Sequence, residues 1–218
     1  MFKKILSHSV LYAIGPQIPR LAGIFILPLL TQYLTPKDYG IHGVLLAYTG
    51  ILSGIKDLGF LVLLVNYFFQ RKLYWPLLWR KLYGYLILWM PFYAIIQSFF
   101  IYWALPISEM HNFWVIYIIS FINLMLFDIP ILMAGRYLQL SQKPLHIAIV
   151  SAITGILGLF LNYYTIVILR MGYMGWIWAT FISSFFMFIC YFHLIFIKLK
   201  IFPIIKLNFK AFFKRFKN

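Results

Sequence analysis

"PLLTQYLTPKDYGIHGVLLAYTGILSGIKDLGF", residues 28–60, closes one apolar run, turns through a short polar segment and opens a second apolar run that carries Lys56 and Asp57 inside it. An α-helix needs roughly 20 apolar residues to cross a bilayer, so each run reads as a membrane span and the polar segment as the turn between them. Outward from this pair the pattern repeats, giving spans at 10–34, 40–69, 82–105, 113–138, 145–169 and 173–197. Composition points the same way. Hydrophobic residues make up 64% of the chain and charged residues 11%, with a mean hydropathy of +0.90, and no water-soluble fold covers that much apolar surface. The expected architecture is an all-α integral membrane protein, a six-transmembrane-helix bundle over residues 1–200 followed by a basic tail over 201–218.

A net charge of +15 raises the question of nucleic acid. The placement of the cations argues against it. With the N-terminus in the cytoplasm, fifteen of the 19 Lys and Arg collect on the cytoplasmic side, only Lys37 and Arg170 fall outside, and Arg20 and Lys56 lie within spans. Such a bias in short loops fixes orientation by the positive-inside rule, with both termini cytoplasmic, and makes anionic lipid the expected partner of the charge. In the tail, Lys206, Lys210, Lys214 and Lys217 recur at helical spacing opposite Ile205, Phe209, Phe212 and Phe216, a pattern that suits the inner leaflet or a stop-transfer tail. The opening "MFKKIL" has no small-residue cleavage site and runs into a full-length span, so it reads as an uncleaved first helix. Pro16, Pro19 and Pro28 each remove a backbone donor within that span, which predicts a kink. Gly50 with Gly54, Gly155 with Gly158, and Gly172 with Gly175 are expected at ordinary helix contacts.

Enzymatic signatures are missing: there is no Walker A loop, HExxH, GxSxG elbow, CxxC pair or dinucleotide-binding glycine motif. The five histidines do not cluster and Cys190 is alone, so neither a metal site nor a cofactor is expected. Asp38 and Glu109 fall in external loops. The informative residues are therefore the charges within spans, because an ion in hydrocarbon costs several kcal/mol and faces a partner or a wet cavity. Arg20, Lys56, Asp57 and Asp128 are expected at one depth, slightly cytoplasmic of centre, with Arg20 in reach of Asp57.

The opening stretch also resembles a known family. "PLLTQYLTPKDYGIHGVLLA", residues 28–47, is similar to the polysaccharide (O-antigen type) flippases of the multidrug/oligosaccharidyl-lipid/polysaccharide exporter superfamily, in which a Leu-x-Pro-x-Asp-Tyr-Gly turn joins the first two helices. "DLGF", residues 57–60, and "MGYMGWIWATFISSF", residues 171–185, are further similarities, in the family's order. The resemblance implies translocation of an undecaprenyl-pyrophosphate-linked oligosaccharide across the bacterial inner membrane by alternating access, driven by an ion gradient and breaking no bond. It implies Arg20 and Lys56 as contacts to the pyrophosphate, which arginine forks and lysine charges suit, with Asp57 and Asp128 as counterions or coupling groups. The family is built from two six-helix lobes. A chain of one lobe implies an N-terminal half, from a truncated or split gene, or a six-helix transporter that pairs with itself. A non-catalytic membrane scaffold, a drug or small-solute exporter of the same superfamily and a membrane enzyme of glycan assembly are the competing classes.

Overall fold

Thr35-Pro36-Lys37-Asp38 has the form of a helix start, and the computed structural model, which describes residue 17, residues 21–71 and residues 73–205, folds it as one. The Asp38 N–H donates to Thr35 Oγ1 at 3.2 Å, while the Asp38 carboxylate accepts the Thr35 N–H at 2.8 Å. This reciprocal cap satisfies two donors that a helix end otherwise leaves open, and Pro36 fits the first turn because its missing N–H has no partner there anyway. The described helices are α1 (Leu21–Thr31), α2 (Pro36–Lys56), α3 (Phe60–Gln70), α4 (Trp75–Ala104), α5 (Ile107–Leu140), α6 (Pro144–Ile168) and α7 (Tyr173–Lys198).

Helices α4 to α7 are each long and apolar enough to cross a membrane, and α2 with α3 makes a fifth span when the bent pair is taken together. The last four expected spans thus fall where the apolar runs placed them. Much of the first expected span, with Pro16, Pro19 and Arg20, lies outside the described residues, as do Lys72 and residues 206–218 of the tail.

The second span differs from a straight helix. It bends by 43° where Asp57 ends α2 and Leu58 and Gly59 take left-handed backbone angles, φ +46° and +72°. Glycine adopts that region freely; leucine does so at a cost. A continuous helix would give the Lys56 carbonyl the Phe60 N–H, but Phe60 instead donates to the Asp57 carbonyl at 2.7 Å. The freed Lys56 carbonyl accepts the Trp89 indole N–H at 3.1 Å, so the break leaves no orphaned acceptor there.

Three apolar clusters are buried among the described residues, the smallest of them Leu30, Leu34 and Ile166, and the two larger ones hold most of the bundle. In one, Leu64, Trp79, Leu86, Met90, Met133 and Ile195 are almost fully buried between α3, α4, α5 and α7. In the other, Ile41, Leu45, Ile101, Ile116 and Tyr173 join α2, α4, α5 and α7 nearer the Asp38 end. Large apolar side chains such as Phe25, Ile51 and Trp103 cover the outer surface, as on a lipid-facing wall. Gly158 sits against Ser183 and Gly175 against Ile166, as close helix contacts require, whereas a side chain at Gly50 or Gly54 would meet nothing among the described residues. The expected packing role thus holds for α6 and α7 and not for Gly50 and Gly54. Beyond α7 the chain runs extended along α4: the Ile204 N–H donates to the Arg80 carbonyl at 3.0 Å, and Arg80 Nε donates to the Phe202 carbonyl at 3.2 Å. Gly84 allows this approach, since a Cβ there would collide with the Ile204 backbone.

Candidate functional site

His42, Leu45, Thr49, Ser53 and Lys56 recur at three- and four-residue steps and so share one face of α2. That face lines an open cavity of about 310 Å³, to whose wall α4, α5 and α7 also contribute. From α4 come Tyr93, Gln97 and Ile101, spaced by four. From α7 comes Trp176, whose ring stacks on His42 with centroids 4.2 Å apart and planes 25° from parallel.

Helix α5 contributes Asn123 and Asp128 through a local irregularity. Residues Asn123–Asp128 form a π-helical turn. At 3.6 residues per turn, positions five apart point about 140° from each other; the wider ring, closed by i→i+5 bonds, turns less per residue and brings them closer in direction. Both residues line the cavity as a result.

The charges inside the spans meet at one end of this cavity. Lys56 Nζ lies 2.8 Å from Asp128 Oδ2, with both side chains roughly three-quarters buried. The contact is an ion pair rather than an aligned hydrogen bond, since Asp128 Oδ2 accepts none. Asp57 follows Lys56 in the chain, and its Oδ1 is buried without a hydrogen-bond donor. Lys56 and Asp128 therefore meet, with Asp57 next to Lys56 in the chain. Arg20, and with it the expected contact to Asp57, lies outside the described residues. Among the described residues no three His, Cys, Asp or Glu side chains are grouped to hold a metal ion.

At the opposite end, the two carboxylates that sequence reasoning set aside as loop residues tie three helix starts together. Asp38 Oδ1 accepts the Tyr173 backbone N–H at 2.9 Å, so the residue that caps α2 also caps α7, which has no side-chain cap of its own. A carboxylate at a helix N-terminus meets both the open donors and the positive end of the helix dipole. Gly172, at φ +55°, leaves the space that the carboxylate occupies. Glu109 pairs with Lys37 and accepts from Asn112 and from the Tyr173 hydroxyl, each at 3.1 Å. Residues 34–40 and 171–175 are thus in direct contact.

Sequence reasoning also missed Gln97. It is 9% exposed, it lines the cavity, and its Oε1 is buried with no donor. The available signal was an amide in the middle of an apolar run, "AIIQSFF", which a search restricted to charges passes over. Compared with known proteins, the chain matches no family model, no curated protein and no solved structure.

Proposed function

We propose that this chain is one lobe of a flippase that moves a lipid-linked oligosaccharide across the bacterial inner membrane during surface polysaccharide biosynthesis. The observation that carries the reading is a cavity within an apolar bundle, partly lined by polar side chains, set along the first part of a broken second span and ending in the Lys56–Asp128 ion pair, with Asp57 next to Lys56 in the chain. Irregular backbone and intramembrane charge are both costly in hydrocarbon, and both are tolerated where they line a solvated path. In this reading Arg20 and Lys56 meet the pyrophosphate, which displaces Asp128 from Lys56, and Asp57 and Asp128 then take up the coupling ion. The lobe works against a second six-helix lobe, a separate half or another copy, because alternating access moves one repeat against another around a shared site.

Reconstitution tests this directly. The purified chain in liposomes with a fluorescent lipid-pyrophosphate oligosaccharide should flip it only with a matching second half or at high protein density. Robust flipping by isolated monomers would overturn the half-transporter reading.

The closed Lys56–Asp128 pair favours a second reading, a membrane scaffold pinned by an internal ion pair. A scaffold would keep its cellular role when Lys56 and Asp128 are replaced together by Met and Leu, whereas a transporter would lose it.

A further inference from the structure

The polar lining of the cavity is not uniform in chemistry. Thr49 donates its hydroxyl proton to the backbone carbonyls of Leu45 and Leu46, at 2.9 and 3.0 Å, and Ser53 donates to Gly50 at 2.6 Å. Each hydroxyl is then left with acceptor lone pairs to offer. Gln97 Oε1 adds a further acceptor that is buried and unused. Gln97 lies one turn from Tyr93, and one turn the other way from Ile101, which packs with Ile41 and Leu45. This places it between the ion-pair layer and the His42–Trp176 stack.

An ionised pyrophosphate has acceptors only, so of these three side chains it could bond to the Gln97 NH2 group alone, while the oxygens of Gln97, Thr49 and Ser53 would face it as acceptors. A neutral polyol brings hydroxyl donors, which these atoms would receive, and it brings apolar ring faces, for which the His42–Trp176 stack is a platform. Lys56 is already neutralised by Asp128, so the middle of the cavity has no net charge to attract an anion.

We propose that the segment of the cavity between the His42–Trp176 stack and the Lys56–Asp128 pair, with Gln97 at its centre, is a subsite for neutral sugar rings, separate from the charged end. The inference rests on the flippase reading for the identity of the carrier. Along α2 the two ends are 14 residues apart, about 21 Å at 1.5 Å per residue, which separates a glycan from the phosphates that follow it.

The test measures binding to the full chain in nanodiscs. The probes are a polyprenol, the polyprenyl pyrophosphate, the same pyrophosphate carrying a pool of neutral tri- and tetrasaccharides, and the free saccharides. The sugar-bearing lipid should bind more tightly than the bare pyrophosphate, and Gln97→Leu should weaken it about tenfold while leaving the bare pyrophosphate unchanged. Thr49→Val, a milder change, should act in the same direction and guards against misfolding of the first variant. Lys56→Met should weaken both pyrophosphates by the same factor. A sugar preference that survives Gln97→Leu and Thr49→Val, or its absence from the unaltered chain while pyrophosphate still binds, overturns the subsite and leaves the flippase reading standing. Free saccharides that bind as tightly as the lipid-linked ones support the subsite and overturn the flippase reading. Binding of neither pyrophosphate above the polyprenol, with no saccharide binding, overturns both.

Discussion

Asp38 has two carboxylate oxygens and uses them on different helices, one at Thr35 and the other at the Tyr173 N–H. Gly172 is fixed by that arrangement, because its positive φ disfavours any side chain and a Cβ would run into the carboxylate. Gly172→Ala should cost about 1–3 kcal/mol and lower the thermal unfolding midpoint in detergent. Gly50→Ala, in a helix and facing open space, should leave the midpoint unchanged or raise it slightly. The Lys56–Asp128 pair makes a second residue-scale test. Removing one partner strands the other charge at membrane depth, so Lys56→Met should cost about 1–3 kcal/mol, less than a fully buried pair because both side chains keep some exposure. The double variant Lys56→Met with Asp128→Leu should recover most of that loss in the same unfolding measurement, and a double variant as unstable as the single one would show that the pair has partners beyond each other.

At the level of elements, the break in the second span depends on three contributions, two adjacent in sequence and one from another helix. Gly59 accepts the left-handed turn, Phe60 shifts its hydrogen bond to Asp57, and Trp89 on α4 covers the carbonyl that this frees. Trp89→Phe keeps most of the ring's packing and removes the donor. It should destabilise the fold by about 1–3 kcal/mol, the cost of leaving a buried acceptor unpaired, and increase hydrogen exchange around residues 56–60. Unchanged exchange there would mean that another donor covers the Lys56 carbonyl. The extended segment after α7 is held by a similar fit. Gly84→Val should push Ile204 off α4, and a nitroxide pair on the two segments should report a longer distance than in the unaltered chain. The hydrogen bonds between Arg80 and residues 202–204 would be lost with it.

For the whole molecule, the cavity sits between the two larger apolar clusters: Tyr93 of one, and Leu45, Ile101 and Ile116 of the other, form part of its wall. One end carries the ion pair and the other lies toward the network of Asp38, Glu109 and Tyr173. In the flippase reading that network faces outward, and opening it would release α7 from the starts of α2 and α5. Glu109→Gln weakens the tie to Lys37 and keeps the shape of the side chain. It should raise the accessibility of a cysteine placed at Thr49 to a membrane-impermeant thiol reagent added from outside, in a background where Cys190 is replaced by Ser. No change in labelling would mean that the network does not gate the cavity.

Hydropathy alone pointed to an all-α chain with helices able to cross a membrane, and it located four such helices that the structure contains, because apolar runs of that length suit a bilayer. That Lys56 and Asp128 lie at one level was legible for the same reason: along neighbouring helices, level is counted in residues. What lies across from a residue is not so counted. That Asp38 caps α7, that Trp89 covers a carbonyl 33 residues away and that Gln97 faces a cavity were decided only by the packing of helices against one another. The π turn at Asn123–Asp128 belongs with these, since a change of helical pitch leaves no mark in an unbroken apolar run and yet turns both polar side chains toward the same space.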